Sequence, residues 1–163
     1  MNTMVEAQIQ TACNDFFETW KALVKVQRLV SPALESDLQT KHGIGLSEYE
    51  AMEELRNADN GRMRMNELAS SVMLTPSGLT RLVDRLEADG IVVRESCPTD
   101  GRGSHVRITE RGISLLARAE KTYRKDIKDY FGEEFTGAAA VTKACNHIVE
   151  TILLLSDKTT ETD

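Results

Sequence analysis

Apolar residues open the chain at helical spacing. Between residues 5 and 30, Ile9, Phe16, Phe17, Trp20, Leu23, Val24, Val26 and Val30 recur mostly three or four positions apart with charges between them, which predicts an amphipathic helix. Ser31-Pro32 reads as a stop and restart, because proline lacks the amide that continues a helix yet suits a first turn. A short helix is expected to follow and to end near His42-Gly43. Ser47, with Glu50 three residues on, has the form of a capping box for another helix, whose Tyr49, Met52 and Leu55 would face inward. Asp59-Asn60-Gly61 is a turn sequence.

Two short helical segments come next. The first lies around Asn66 to Met73, with Leu68, Ala69 and Val72 on one face. The second opens at Thr75, whose hydroxyl can cap it; Pro76 suits its first position and Gly90 its exit. Within it Leu79, Leu82, Val83 and Leu86 follow an i, i+3, i+4, i+7 order, while Ser77, Arg81, Asp84 and Arg85 lie roughly opposite. Two short helices with a tight join, the second polar on its outer side, predict a helix-turn-helix. The period then shortens. Residues 91–95 and 105–109 are β-prone and flank the turn-rich run 98–103, giving a hairpin with Arg102 at its tip between Gly101 and Gly103. Helical spacing returns after Thr109, with Ile113, Leu115, Leu116 and Ala119 ahead of a charged run, and Gly132 breaks it. A last helix is expected from about Thr136 and carries Val141, Ala144, Ile148, Ile152 and Leu155 before a polar end. The fold class is mainly α with one small β-hairpin.

Charge changes this picture more than composition does. A chain of 163 residues, 40% hydrophobic and 28% charged, can form one domain or two small sub-domains sharing a core. A net charge of −6 argues against indiscriminate binding to nucleic acid or membrane, which needs a strong positive field. The stretch from Arg62 to Arg111 nevertheless holds eight arginines against seven acids, for a net of +1, and all eight lysines lie outside it. Arginine presents a planar fork of donors that suits phosphates and guanine edges, where lysine offers a point charge. A recognition helix enters the major groove with its amino-terminal turn leading, so Thr75, Ser77 and the free amides there can hold phosphates. Thr80, Arg81 and Arg85 then reach base edges or flanking phosphates. Arg102 is placed for the adjacent minor groove, with Asp100 orienting its guanidinium. The plainer alternative for Arg81 and Arg85 is a solvated face paired with Asp84 and Asp89; for Arg102 it is an ordinary turn arginine.

Other chemistries find little support. Cys13, Cys97 and Cys145 form no CxxC pair, so neither a disulfide framework nor a zinc cluster is expected. His42, His105 and His147 share no face, and no metal is expected. There is no nucleophile–base pairing and no phosphate-cradling glycine loop, so the chain is read as neither an enzyme nor a cofactor protein. The amino terminus lacks a basic region followed by an apolar run, and no stretch approaches the ~18 apolar residues of a spanning helix. The default expectation is a reduced cytoplasmic setting without membrane contact.

Residues 65–112, MNELASSVMLTPSGLTRLVDRLEADGIVVRESCPTDGRGSHVRITERG, resemble the MarR family of bacterial transcription regulators. The likeness rests on Leu68-Ala69, the T-x-S-x-x-T-R-L-V-D-R-L-E-x-x-G run from Thr75 to Gly90, the D-x-R of Asp100 to Arg102, and the hydrophobic-T-x-x-G close from Ile108 to Gly112. It implies a winged helix-turn-helix over 46–111, a helical dimerisation region made from 1–45 and 112–156, and a polar tail over 157–163. It further implies a homodimer bound to a palindromic operator in double-stranded DNA, acting as a repressor and often released by a small phenolic ligand or an oxidant. Family precedent puts such a ligand in a crevice to which Phe16, Trp20, Tyr49 and Met52 would contribute, with Arg28 or His42 for a carboxylate; the alternative is that these aromatics are plain core. Cys13 does not sit where the redox-sensing subgroup keeps its cysteine, and Cys97 falls at the base of the wing. Two further readings remain open here, a winged-helix module for protein contact and a cysteine-based redox regulator. The first would show exposed apolar residues on the second helix and no glycine-flanked wing arginine.

Overall fold

The computed structural model describes residues 3–96, 104–132 and 136–160. Helix α1 (Thr3–His42) is a single helix of 40 residues that passes through Pro32, so the stop and restart expected at Ser31-Pro32 does not occur. An interior proline removes one amide bond and costs roughly 3 kcal/mol or more in isolation. Leu34 and Leu38, just beyond it, are buried at 4% and 0% exposure, and that tertiary burial holds the helical path across the defect. Helix α2 (Leu46–Asn57) starts at Gly45, not at Ser47. Carboxylates cap it in place of the predicted hydroxyl: Glu48 accepts from the Gly45 amide at 2.8 Å, and Glu35 of α1 accepts from the Leu46 amide. Tyr49, Met52 and Leu55 are buried as the spacing requires.

The Asp59–Gly61 turn places Asn60 at φ 58 and feeds strand β1 (Arg62–Arg64). Three residues, Arg-Met-Arg, are too few for their alternation to stand out as a strand, and the sequence pattern does not reveal β1. Helices α3 (Met65–Ser71) and α4 (Pro76–Ala88) follow. Strands β2 (Val92–Ser96) and β3 (Ser104–Ile108) then complete a three-stranded antiparallel sheet in the order β1-β3-β2. The register pairs Arg62 with Arg107 and Val92 with Ile108. Helix α5 (Glu110–Phe131) leads away, and α6 (Ala138–Thr160) continues into the residues expected to form a polar tail.

Two compact units divide the chain, Met1–Asp126 and Ile127–Asp163. The first has a core built from Leu38, Leu55, Leu68, Leu79, Leu86 and Leu116 together with the sheet residues Val92 and Val106. In the second, Gly132 takes φ +74 at the end of α5, and Val141, Ile148 and Val149 of α6 stay exposed.

One junction fixes the geometry of the first unit. Thr109 donates its hydroxyl to the carbonyls of Gly90 at 2.9 Å and Ile91 at 3.0 Å, and accepts from the Gly112 amide at 3.1 Å. Its own amide bonds Ile91 O at 3.0 Å. The exit of α4, the end of β3 and the start of α5 therefore meet on one threonine. Gly112 is required by this closeness: a Cβ there would stand 2.4 Å from Ile91 O and 2.7 Å from Ile108 Cγ1. The hydrophobic-T-x-x-G sequence is thus a packing signature.

Candidate nucleic-acid interface

Helix α4 owes its position to its sequence. Leu79, Leu82, Val83 and Leu86 are 3% exposed or less, and each such burial contributes about 1.5–3 kcal/mol as an upper bound. With that stripe inward, Ser77, Thr80, Arg81, Asp84 and Arg85 all face solvent. Thr75 caps the helix by accepting from the Gly78 amide at 3.1 Å, and its hydroxyl lies 3.3 Å from that of Ser77. Thr80 donates to Pro76 O at 2.9 Å, which leaves its oxygen lone pairs outward. Pro76 carries no amide proton, so the Ser77 amide and the hydroxyls of Thr75 and Ser77 form the polar tip of the helix.

The pairing of Arg81 and Arg85 with Asp84 and Asp89 does not form. Arg81 has no ion-pair partner among the described residues. Arg85 reaches back to Glu48 at 2.9 Å, a carboxylate whose side chain is 10% exposed while that of Arg85 is 69% exposed. Asp84 is taken by Arg94, a residue that sequence reasoning grouped with the other arginines and did not place. The Arg94 guanidinium donates to Glu87 at 2.9 Å, to Asp84 at 2.6 Å and to Thr80 O at 3.3 Å, and its backbone amide donates to Glu87 at 3.0 Å. Positions 80, 84 and 87 form one stripe along α4, so Arg94 ties β2 to the helix over about two of its turns. The i, i+4, i+7 spacing of acceptors ahead of a strand arginine is the signal that could have found it. In the sheet, Arg107 donates to Glu95 at 2.6 Å, and Arg62 lies 3.5 Å from the same carboxylate. Salt-bridging to both guanidiniums holds the Glu95 carboxyl below its ordinary range, the Arg107 hydrogen bond being the main cause. Part of the arginine enrichment therefore serves the geometry of the protein itself.

Asp100, Arg102 and Cys97 lie outside the described residues. The six residues considered for a ligand crevice are not brought together within the chain. Phe16 and Trp20 are 74% and 64% exposed on α1. Trp20 and Arg28 share one open face of that helix with Val24 and Leu29. Tyr49 and Met52 are wholly buried, with Tyr49 stacked on Tyr123 at 4.6 Å between ring centroids. Burial raises the Tyr49 phenol far above its usual range, so it stays neutral. His42 is half-buried at the end of α1 and lies 2.8 Å from Thr122 of α5. Burial, with Arg118 and Lys41 nearby, pushes its pKa down. It borders a separate cleft of about 370 Å³ that also includes Asp89, Arg111 and Arg118. Cys145 is half-buried on α6. Among the described residues no group of three or more His, Cys, Asp or Glu could hold a metal, and no helix is long and apolar enough to cross a membrane.

A tight two-helix unit whose second helix presents hydroxyls and arginine, followed by a braced antiparallel hairpin, defines a winged helix-turn-helix protein. A family model described as MarR family matches residues 42–103. The chain is 33% identical over 76 residues to the HTH-type transcriptional regulator MhqR of Bacillus subtilis, covering 47% of this chain and 51% of that protein. It is 30% identical over 95 residues to the HTH-type transcriptional repressor IacR of Pseudomonas putida, covering 58% of this chain and 54% of that protein. The chain thus spans about half the length of the curated relatives it matches. Likeness to solved structures extends further. Sco3205, a MarR family transcriptional regulator from Streptomyces coelicolor crystallised with DNA, superposes with a TM-score of 0.73 at 27% identity over 83% of both chains. AbsC, another from that organism, gives 0.72 at 29% identity over 82% of this chain and 91% of its own. Residues 42–103 thus carry the MarR family's winged helix-turn-helix, and the fold of the chain is that of MarR family transcriptional regulators.

Proposed function

We propose that the protein is a sequence-specific DNA-binding repressor that acts as a homodimer on a palindromic operator. The observation that carries this reading is the outer face of α4: Thr75, Ser77, Thr80 and Arg81 lie exposed beside a capped amino terminus, with Arg81 unpaired among the described residues. An unpaired guanidinium breaks no ion pair to meet DNA, and because its helix is already held to the sheet only the side chain has still to be ordered on binding. The absence of large apolar side chains from the exposed positions of α4 among the described residues weighs against the protein-contact module. Homodimerisation is supported by the apolar surface that α1 leaves uncovered, with Phe16, Phe17, Trp20 and Leu29 each at least 64% exposed. Association through it would remove that surface from water and set two recognition helices about one DNA turn apart. It would also gather the acidic charge away from the groove. In this reading Arg102, oriented by Asp100, enters the minor groove, and Arg85 leaves Glu48 to bind phosphate. The 46–111 segment reads DNA, while 1–45 and 112–156 join the two copies.

Release by a small aromatic or phenolic acid is part of the same proposal. The α1 face of Trp20, Lys21, Lys25 and Arg28 sets an apolar side chain beside cations, and a second copy docked on α1 would supply the opposite wall that an aromatic carboxylate needs. Fluorescence anisotropy on operator fragments selected from genomic DNA tests the core reading, with wild type beside Arg81→Ala and Arg102→Ala at two salt concentrations. Each substitution is expected to cost about 1–3 kcal/mol of specific affinity. Binding that competitor DNA displaces freely, with all three proteins alike, would sink it.

A further inference from the structure

Three helices among the described residues end on a left-handed glycine. Gly43 closes α1 at φ +73, Gly90 closes α4 at +69, and Gly132 closes α5 at +74. The end of α3 instead carries Met73 at φ +53. There the Met73 amide bonds Ser70 O at 3.3 Å and the Leu74 amide bonds Ala69 O at 2.9 Å, the double bond pattern of a Schellman turn. That turn places its left-handed residue where a Cβ crowds the neighbouring carbonyl, so glycine is the unstrained choice. Met73 is also 86% exposed, more than any other large apolar residue among those described. Its neighbours Val72 and Leu74 pack against the core, and the turn between them throws the methionine outward. Strain and apolar exposure thus fall on the same side chain, two residues ahead of the cap of α4.

We propose that Met73 is a base-reading residue, whose thioether chain contacts a thymine methyl group where the amino-terminal turn of α4 enters the major groove. This rests on the operator-binding reading above and adds to it a specificity determinant outside the recognition helix. Thymine's C5-methyl is the apolar group that the major groove displays, and Met is flexible and polarisable enough to follow it. The other exposed side chains nearby, Ser70, Ser71, Ser77, Thr80 and Arg81, are polar and recognise phosphates or hydrogen-bonding base edges. A methyl contact supplies what they lack.

The test pairs protein and DNA changes. Met73→Gly and Met73→Asn both accept the left-handed backbone, and Met73→Asn keeps the unfolded chain as restricted as a side chain makes it. Thymines of the selected operator are replaced one at a time by deoxyuridine, which deletes only the C5-methyl. Both variants should fold with melting temperatures no lower than wild type within error. Affinity for the operator should drop about three- to fivefold per half-site, the worth of one buried methyl-sized group. One deoxyuridine position per half-site should cost wild type the same factor and cost Met73→Gly nothing further. Wild-type affinity in both variants, or equal deoxyuridine penalties in wild type and Met73→Gly, would overturn the assignment while leaving operator binding intact. Loss of sequence preference in wild type itself would overturn both.

Discussion

Removing Arg94 separates two uses of an arginine that look alike in the sequence. In Arg94→Ala the guanidinium bonds to Glu87 and Asp84 disappear, while the backbone bond from residue 94 to Glu87 survives. The side chains involved are 30% exposed for Arg94, 38% for Glu87 and 55% for Asp84, so solvent screens both pairs. Pairs of that exposure contribute ~0.2–1 kcal/mol each, and the long bond to Thr80 O adds little. The expected loss is therefore about 1–2 kcal/mol, or roughly 2–8 °C in melting temperature for a chain of this size. Two carboxylates on the flank of α4 are also left without their counter-charge. Operator affinity should fall on the order of tenfold, about 1.4 kcal/mol. Because no phosphate contact is lost, the slope of log affinity against log salt should not change. Arg94→Lys keeps the charge but cannot bond two carboxylates and a carbonyl at once, so it should recover less than half of the stability. Urea melts and anisotropy titrations at three salt concentrations give all the quantities. A variant that is as stable as wild type but loses about one unit of salt slope would refute the brace and make Arg94 a phosphate contact.

Three other substitutions probe the scaffold. Gly112→Ala forces a Cβ against Ile91 O and should destabilise by about 1–3 kcal/mol or more in a urea melt, with unchanged stability counting against the close approach. Asp126 is buried, with the Asp37 carboxylate beside it, and both raise its pKa. A raised carboxyl loses stability as pH climbs through its range, so Asp126→Asn should be about 1 kcal/mol more stable than wild type at pH 7, with the gap closing towards pH 4; a gap that is constant with pH would show the carboxyl is not the cause. His42 has the opposite sign: its pKa is pushed below 6.5 by burial and by Arg118, so the unfolded chain takes up the proton first and stability falls as pH drops below 6.5. In His42→Gln that part of the stability–pH curve should flatten, and an identical slope would point to another group.

The parts of the fold legible in the sequence are those encoded locally. Helix α4 announces itself through Thr75, Pro76 and Gly90, and its apolar stripe fixes which face is outward; each sign is read within a few residues. Pro32 misleads because the force that carries α1 past it comes from Leu38, buried in a core drawn from residues far along the chain. Strand β1 is hidden for the same reason, since Arg62–Arg64 is a strand only by pairing with residues 105–107. Within the interface, exposure of Ser77, Thr80 and Arg81 follows from periodicity. Partner choice does not. That Asp84 is held by Arg94 and Arg85 by Glu48 depends on how β2 and α2 are set against the helix, which no spacing rule along α4 contains.

The junction at Thr109 and the Arg94 brace have a consequence for how a signal can travel. Recognition helix, hairpin and the start of α5 are cross-tied along α4 from Thr80 to Glu87 and again at its exit, so bending one of them against another breaks several bonds at once. A messenger molecule with a few kcal/mol of differential affinity has little leverage on such a block. Its cheaper route is to leave the block intact and change where the whole of it stands relative to its counterpart in a dimer. In the dimer proposed above the operator would work as a ruler: a small rotation at the distant end would become a misfit of several ångströms at the groove, and DNA release would be a failure of distance between two unaltered hands.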